Sequence, residues 1–194
     1  TTIPNRILEF FYALHTGVTT NLWVLHHVYG HHMNYLDQTK DESRWKRKSG
    51  QRMGELEYSL NVTATAYYRG YLVGNKYPKE QRTFVIFSAI TFSIVALLVA
   101  YNPIPGLLVF VLPMVMGLFM TAWATHDHHA GLDTESHFEA SYNNLNPWYN
   151  RLTGNLGYHT AHHYKQGIHW SKLPKLHEKI ADQIPDHLIT RNLV

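Results

Sequence analysis

The chain has no cysteine among its 194 residues. Disulfides, cysteine-type zinc fingers and thiolate-held iron–sulfur clusters are thereby excluded, although the compartment is left undecided. Net charge is also scarce, because 17 Lys and Arg against 14 Asp and Glu leave only +3 with histidine neutral. The basic residues gather at Arg44, Lys46, Arg47, Lys48 and Arg52, and again at Lys76, Lys79 and Arg82. A nucleic-acid footprint would be basic too. These residues, however, flank uncharged stretches, which points to lipid headgroups or a cytoplasmic loop, and no nucleic-acid partner is expected. Internal repeats and low-complexity segments are absent. So are the paired Glu-x-x-His motifs of carboxylate-bridged helical bundles. The first residues lack the basic region and apolar core of a signal peptide. A start at Thr1 without Met is read as the mark of a fragment or a processed piece.

What is present begins with two long uncharged runs. Thr83 to Tyr101 contains 19 residues without a charge, which as a helix reaches about 28 Å, close to the thickness of a bilayer's hydrocarbon core. Asn102-Pro103-Ile104-Pro105-Gly106 is expected to turn, since prolines do not continue a helix. Leu107 to Thr125 is a second such run, broken only by Pro113 and Gly117. A core hairpin of a soluble protein is the alternative, but two spans in tandem favour a transmembrane hairpin at about 83–101 and 107–125. Two crossings return the chain to its starting side. The basic flanks therefore place everything outside the hairpin on the cytoplasmic face. Tyr101 and Trp123 suit an interfacial aromatic belt.

Elsewhere the pattern is also helical. Ile3 to Leu25 is largely apolar and is expected to form a surface or partly buried helix that continues through His26–Asp37. Asp41 to Lys48 is charged and expected to be solvated. Gly54 to Tyr71 predicts an amphipathic helix, and Asp133 to Asn150 an irregular segment with a turn at Pro147–Asn150. Leu173-Pro174 is expected to stop one piece before a short terminal helix from Leu176 to Ile184. The fold class is thus mostly α: an integral membrane helical protein with one transmembrane hairpin and a cytoplasmic helical cap.

That cap would carry most of the chain's 15 histidines. Three clusters stand out: His26-His27-x-x-x-His31-His32, His126-x-His128-His129 and His159-x-x-His162-His163. Neutral imidazole is the commonest metal ligand among side chains. On an α-helix His27 and His31, four apart, share one side, and His32 is turned about 100° away; His159, His163 and His162 repeat the pattern. Adjacent histidines can thus feed two ions. Imidazole softness suits Zn, Cu, Fe or Ni and does not choose among them.

The residues around two clusters resemble a known family. Trp23-x-x-x-His27-x-x-Gly30-His31-His32-x-Asn34-x-x-Asp37 resembles the second histidine box of the membrane fatty-acid desaturase and alkane-hydroxylase superfamily, and its His-x-x-Gly-His-His form is nearest the hydroxylase branch. Asn155-x-Gly157-Tyr158-His159-x-x-His162-His163, followed by Ile168-His169-Trp170-Ser171-x-Leu173-Pro174, resembles the third box and trailing motif of desaturases. The resemblance spans essentially residues 1–194 as one domain. It implies two iron ions on histidines at the cytoplasmic face, O2 as co-substrate, a long fatty acyl or alkyl chain as substrate, and electrons from a donor such as rubredoxin, ferredoxin or cytochrome b5. The implied metal ligands are His27, His31 and His32 from box two and His159, His162 and His163 from box three. An isolated ligand after the hairpin is matched best by His129, with His126 second. No catalytic residue beyond the ligands is implied. The family's first box, about 30 residues before the second, has no counterpart here, and His15 is too close to stand in for it. The expectation is a chain lacking its N-terminal part.

The expected function is therefore a membrane, O2-dependent di-iron oxidoreductase, a fatty-acid desaturase. An alkane or fatty-acid hydroxylase is the alternative, and a zinc-binding or non-catalytic membrane relative is a third. Asp37, Asp127 and Glu135 are candidates to orient ligand imidazoles, as is Asn155. His169 is expected to support the site rather than ligate, while His177 and His187 are expected to be ordinary surface histidines.

Overall fold

The computed structural model describes residues 3–192, which are mostly helical. They form two compact units: the described residues up to Met33 together with Gly54–Ala124, and Asn34–Met53 together with the residues from Thr125 onward.

In the first unit α1 spans Ile3–Thr16. It does not run on to the first histidine cluster as the apolar pattern suggests. Gly17 takes a left-handed φ of 69° and donates its N–H to Ala13 O at 3.1 Å, which ends the helix. A Cβ at Gly17 would also meet Met114 O at 2.8 Å. Asn21, with φ 64°, makes a second bend. Beyond it Val24–His32 winds as a π-helix, followed by α2 (Glu55–Gly74) and α3 (Pro78–Tyr101). The long helix α4 covers Pro103–His129, with a π-turn at Leu107–Val111. The prolines after Tyr101 do not make the expected turn. The break is confined to Asn102 (φ −145°, ψ 95°), and Pro103 opens α4, a position where the missing N–H costs nothing and the fixed φ is already helical.

Helices α3 and α4 are each long and apolar enough to cross a membrane. Leu97, Tyr101 and Ile104 on them are well exposed, as side chains facing lipid would be. One core cluster joins Leu14, Val95 and Met114, and another joins Leu22, Leu25 and Phe84.

The second unit is held by short elements. Strands β1 (Asn143–Asn144) and β2 (Ile189–Thr190) pair in parallel, Asn143 against Ile189. Helices α5 (Pro147–Thr153), α6 (His159–Tyr164) and α7 (Leu173–Ile180) complete the unit. Its core is Ala161, Leu173, Ile180, Ile184 and Leu188. Pro147 begins a helix rather than a turn, because Asn146 caps it by accepting from Trp148 N and Tyr149 N at 2.9 and 3.2 Å. Leu173-Pro174 likewise begins α7 instead of stopping a piece. The charged stretch after Asp41 is not simply solvated: Asp41 is 1% exposed and accepts from Ser43 N at 2.7 Å, and Trp45 is buried.

Candidate metal centre

The first histidine cluster lies on the π-helix. A π-helix closes i→i+5 hydrogen bonds, so residues five apart stack as residues four apart do in an α-helix. The observed partner of His27 is accordingly His32, with the two Nε2 atoms 2.9 Å apart. This replaces the α-helical expectation, in which His32 is turned away from His27. The fully buried His31 has its ring centre 5.2 Å from that of His27 and 5.6 Å from that of His32. Trp23 stacks on the outer side of His27, with ring centres 4.0 Å apart. His26 is buried too; burial first, then the Arg69 and His31 charges, push its pKa down to about 3, so it is neutral at physiological pH.

The second unit gathers three histidines at their Nε2 atoms. His129 lies 3.0 Å from His159 and 3.1 Å from His163 by this measure. The His129 Nδ1 lies 2.8 Å from Ala140 O. A carbonyl only accepts, so Nδ1 carries the proton and the neutral ring leaves Nε2 with a bare lone pair. That lone pair can accept an N–H···N hydrogen bond from a neighbouring ring or serve as a metal ligand. Nitrogens about 2.0–2.1 Å from one ion lie about 2.9 Å apart at right angles and about 3.4 Å apart in a tetrahedron. The separations of 2.9, 3.0 and 3.1 Å fall within this range, so the donor sets are compatible with a metal site.

Around the trio the neighbouring His128 and His126 rings are engaged with other groups of the protein. His128 stacks on His159 (3.9 Å, 7°), and its Nε2 lies 3.3 Å from the Tyr149 hydroxyl. His126 Nε2 faces Met53 O at 3.2 Å. Of the three post-hairpin histidines, His129 is the one that joins His159 and His163. His162 is half-buried and set off from the trio, its ring 5.5 Å from both His159 and His163.

The backbone of α6 is fixed by buried amides. Asn143, 1% exposed, accepts from Thr160 N at 3.0 Å and donates to Thr160 Oγ1 at 2.8 Å and Ser141 O at 3.2 Å. Asn150 accepts from Gly157 N at 3.0 Å and donates to Asn144 O at 2.7 Å. Gly157 lies so close to Asn144 that a Cβ there would be 2.0 Å from its carbonyl oxygen. Tyr35 packs its ring 4.2 Å from that of His163 and bonds through its hydroxyl to His137 Nδ1; burial pushes its pKa up to about 12. Neither Asn143, Asn150 nor Tyr35 stands out in the sequence, since each acts through contacts made only in the fold. The one advance signal is Gly157 inside the third-box string.

Other candidates have different jobs. Asp37 is engaged by Lys40 Nζ at 2.6 Å and by Thr39, contacts that hold its carboxyl well below the usual range. Asn155 donates to Trp170 O at 3.2 Å, and His169 caps the turn Trp170–Lys172. Asp127 has a half-exposed side chain, 3.8 Å from His126 Nδ1. His177 is buried against Tyr158, not on the surface. The short α7 packs that face of the ring into the core.

Comparison with known proteins bears on this site. Neither a curated protein nor a solved structure matches the chain. The model of the family described as fatty acid desaturase matches residues 1–194, and the chain belongs to that family.

Proposed function

We propose that this fatty acid desaturase family member is an integral membrane, O2-dependent oxidoreductase that removes hydrogen from a long fatty acyl or alkyl chain, with two irons on its histidines. The observation that carries this reading is the approach of the His159 and His163 Nε2 atoms to His129 Nε2, at 3.0 and 3.1 Å. In this proposal His27, His31, His32, His129, His159, His162 and His163 hold the irons. The bound irons supply the reductive activation of O2 and the removal of hydrogen from an unactivated C–H bond. Hydrogen lost from two adjacent carbons gives a double bond, and one hydrogen replaced by hydroxyl gives an alcohol. Electrons come from a protein donor such as rubredoxin, ferredoxin or cytochrome b5.

The protein's own contribution is to fix rings and keep water away. Ala140 O holds the His129 tautomer. Asn143 and Asn150 lock the backbone on either side of His159. Tyr35, protonated at physiological pH, covers one side of His163. The long apolar helices α3 and α4 anchor the chain in a bilayer, with the histidines on the cytoplasmic face.

Desaturation is favoured by the third-box string around Gly157-Tyr158-His159. Hydroxylation is the second reading, favoured by the Gly30-His31-His32 form of the second box. Mass spectrometry of lipids from cells expressing the complete gene, beside a His162→Ala control, tests the proposal. New double bonds in the wild type alone are expected. Hydroxylated chains would select the second reading, and unchanged lipids and alkanes in both would contradict each.

A further inference from the structure

Tyr35, in the second unit, is nearly closed off from solvent at 7% exposure. Its ring packs on His163, with ring centres 4.2 Å apart. His163 Nε2 lies 3.1 Å from His129 Nε2, so one imidazole separates the phenol from these nitrogens. On its other side the Tyr35 hydroxyl is hydrogen-bonded to His137 Nδ1. His137 is exposed and within reach of water. Covering His163 needs only an aromatic ring, which phenylalanine would supply as well. The hydroxyl and its imidazole partner serve something else.

A phenol gives up an electron readily only when its proton leaves too, because a phenol radical cation is a very strong acid. Water does not reach a buried hydroxyl to take that proton, so a base must touch it. Burial pushes the Tyr35 pKa up to about 12, which keeps the O–H in place to donate. An imidazole with its own proton on Nε2 offers Nδ1 as the acceptor. The exposed His137 ring then carries the gained charge in water, not in the core, where an unpaired ion is costly. Tyr149 gives the contrast. Its hydroxyl lies 3.3 Å from His128 Nε2, but His128 is 4% exposed, and a proton placed there would stay in the core.

We propose that Tyr35 and His137 form a redox pair beside the histidine centre, which disposes of an oxidising equivalent that has not met a C–H bond. Tyr35 gives one electron, across its ring contact with His163, to a one-electron oxidant derived from O2. In the same step the Tyr35 hydroxyl proton passes to His137 Nδ1. The products are a neutral phenoxyl radical and an imidazolium, and the oxidant is reduced by one electron. One electron from the protein donor and return of the proton restore both residues. The inference rests on the oxygen-activating reading above for the source of the oxidant, and adds a protective activity to that site.

Freeze-quench electron paramagnetic resonance on the purified complete protein tests the pair. The protein is loaded with ferrous iron and mixed with hydrogen peroxide in the absence of any acyl or alkyl chain. Zinc-loaded protein is the redox-inert control, and signals are normalised to bound metal. A tyrosyl radical is expected in the iron-loaded wild type and should be lost in Tyr35→Phe. His137→Gln keeps an acceptor for the hydroxyl but no base for its proton, so the signal should be lost there too; a purely structural role would leave it unchanged. Circular dichroism checks both folds, and His137→Gln, at an exposed position, still decides the matter if Tyr35→Phe does not fold. A radical of wild-type intensity in either folded variant overturns the inference. So does an iron-loaded wild type without a radical whose cells nevertheless form new double bonds or hydroxylated chains, and the oxygen-activating reading then stands alone. A Tyr35 radical with unchanged lipids and alkanes in cells would remove the acyl-chain reading and leave the redox pair. Neither radical nor product would overturn both.

Discussion

His27 and His32 bring their Nε2 atoms within 2.9 Å of each other across five residues of sequence. An α-helix would turn them about 140° apart; the π-helix Val24–His32 makes them neighbours. π-turns are rare and concentrate at functional sites. The segment therefore spends helical regularity on placing two nitrogens.

This relationship separates His26 from its neighbours. His27→Gln and His32→Gln should each lower metal affinity more than about 100-fold, beyond what loss of an outer hydrogen-bond partner costs. His26→Gln should retain the wild-type metal content. Inductively coupled plasma mass spectrometry on the purified variants checks this. Equal metal content in all three would show that the pair does not ligate.

Gly157→Ala should destabilise the second unit. The added Cβ would lie 2.0 Å from Asn144 O, a backbone atom that cannot swing aside. Overpacking costs about 1–3 kcal/mol, and a backbone clash belongs at the upper end. Thermal unfolding should report this loss, together with reduced metal retention because α6 begins two residues later.

Asn143→Leu should cost about 3 kcal/mol by stranding the Thr160 N–H and hydroxyl in a buried site. Asn143→Asp keeps an oxygen for Thr160 N and should cost less. Denaturant midpoints of the two variants give the order.

Acid should unfold the protein partly through His177. Burial first holds its pKa below the ordinary 6.5, against the pull of Glu178. The unfolded chain then binds the proton more readily than the folded one. The stability linked to this group is complete above about pH 6.5 and falls as pH drops below it, by at most about 1.4 kcal/mol per pH unit. His177→Leu should flatten the pH dependence of the unfolding midpoint in that window, and an unchanged slope would show that this group does not contribute.

Much of the site was legible because its chemistry is written in residue types. The spacing of His159, His162 and His163 and the two uncharged runs need no tertiary information. Helix boundaries were harder where proline was read as a stop. Pro103, Pro147 and Pro174 all sit at helix starts, and only the preceding residue's conformation reveals which role proline plays. The His27–His32 pairing was hidden because sequence periodicity presumes 3.6 residues per turn. The burial of Asp41 and His177 was hidden because charge and histidine content do not report local packing.

Metal analysis of the complete protein tests the central claim most directly. Iron should be the bound metal, two ions per chain, and it should fall sharply in His129→Ala, His159→Ala and His163→Ala. Zinc alone, or iron unchanged in all three variants, would contradict the account.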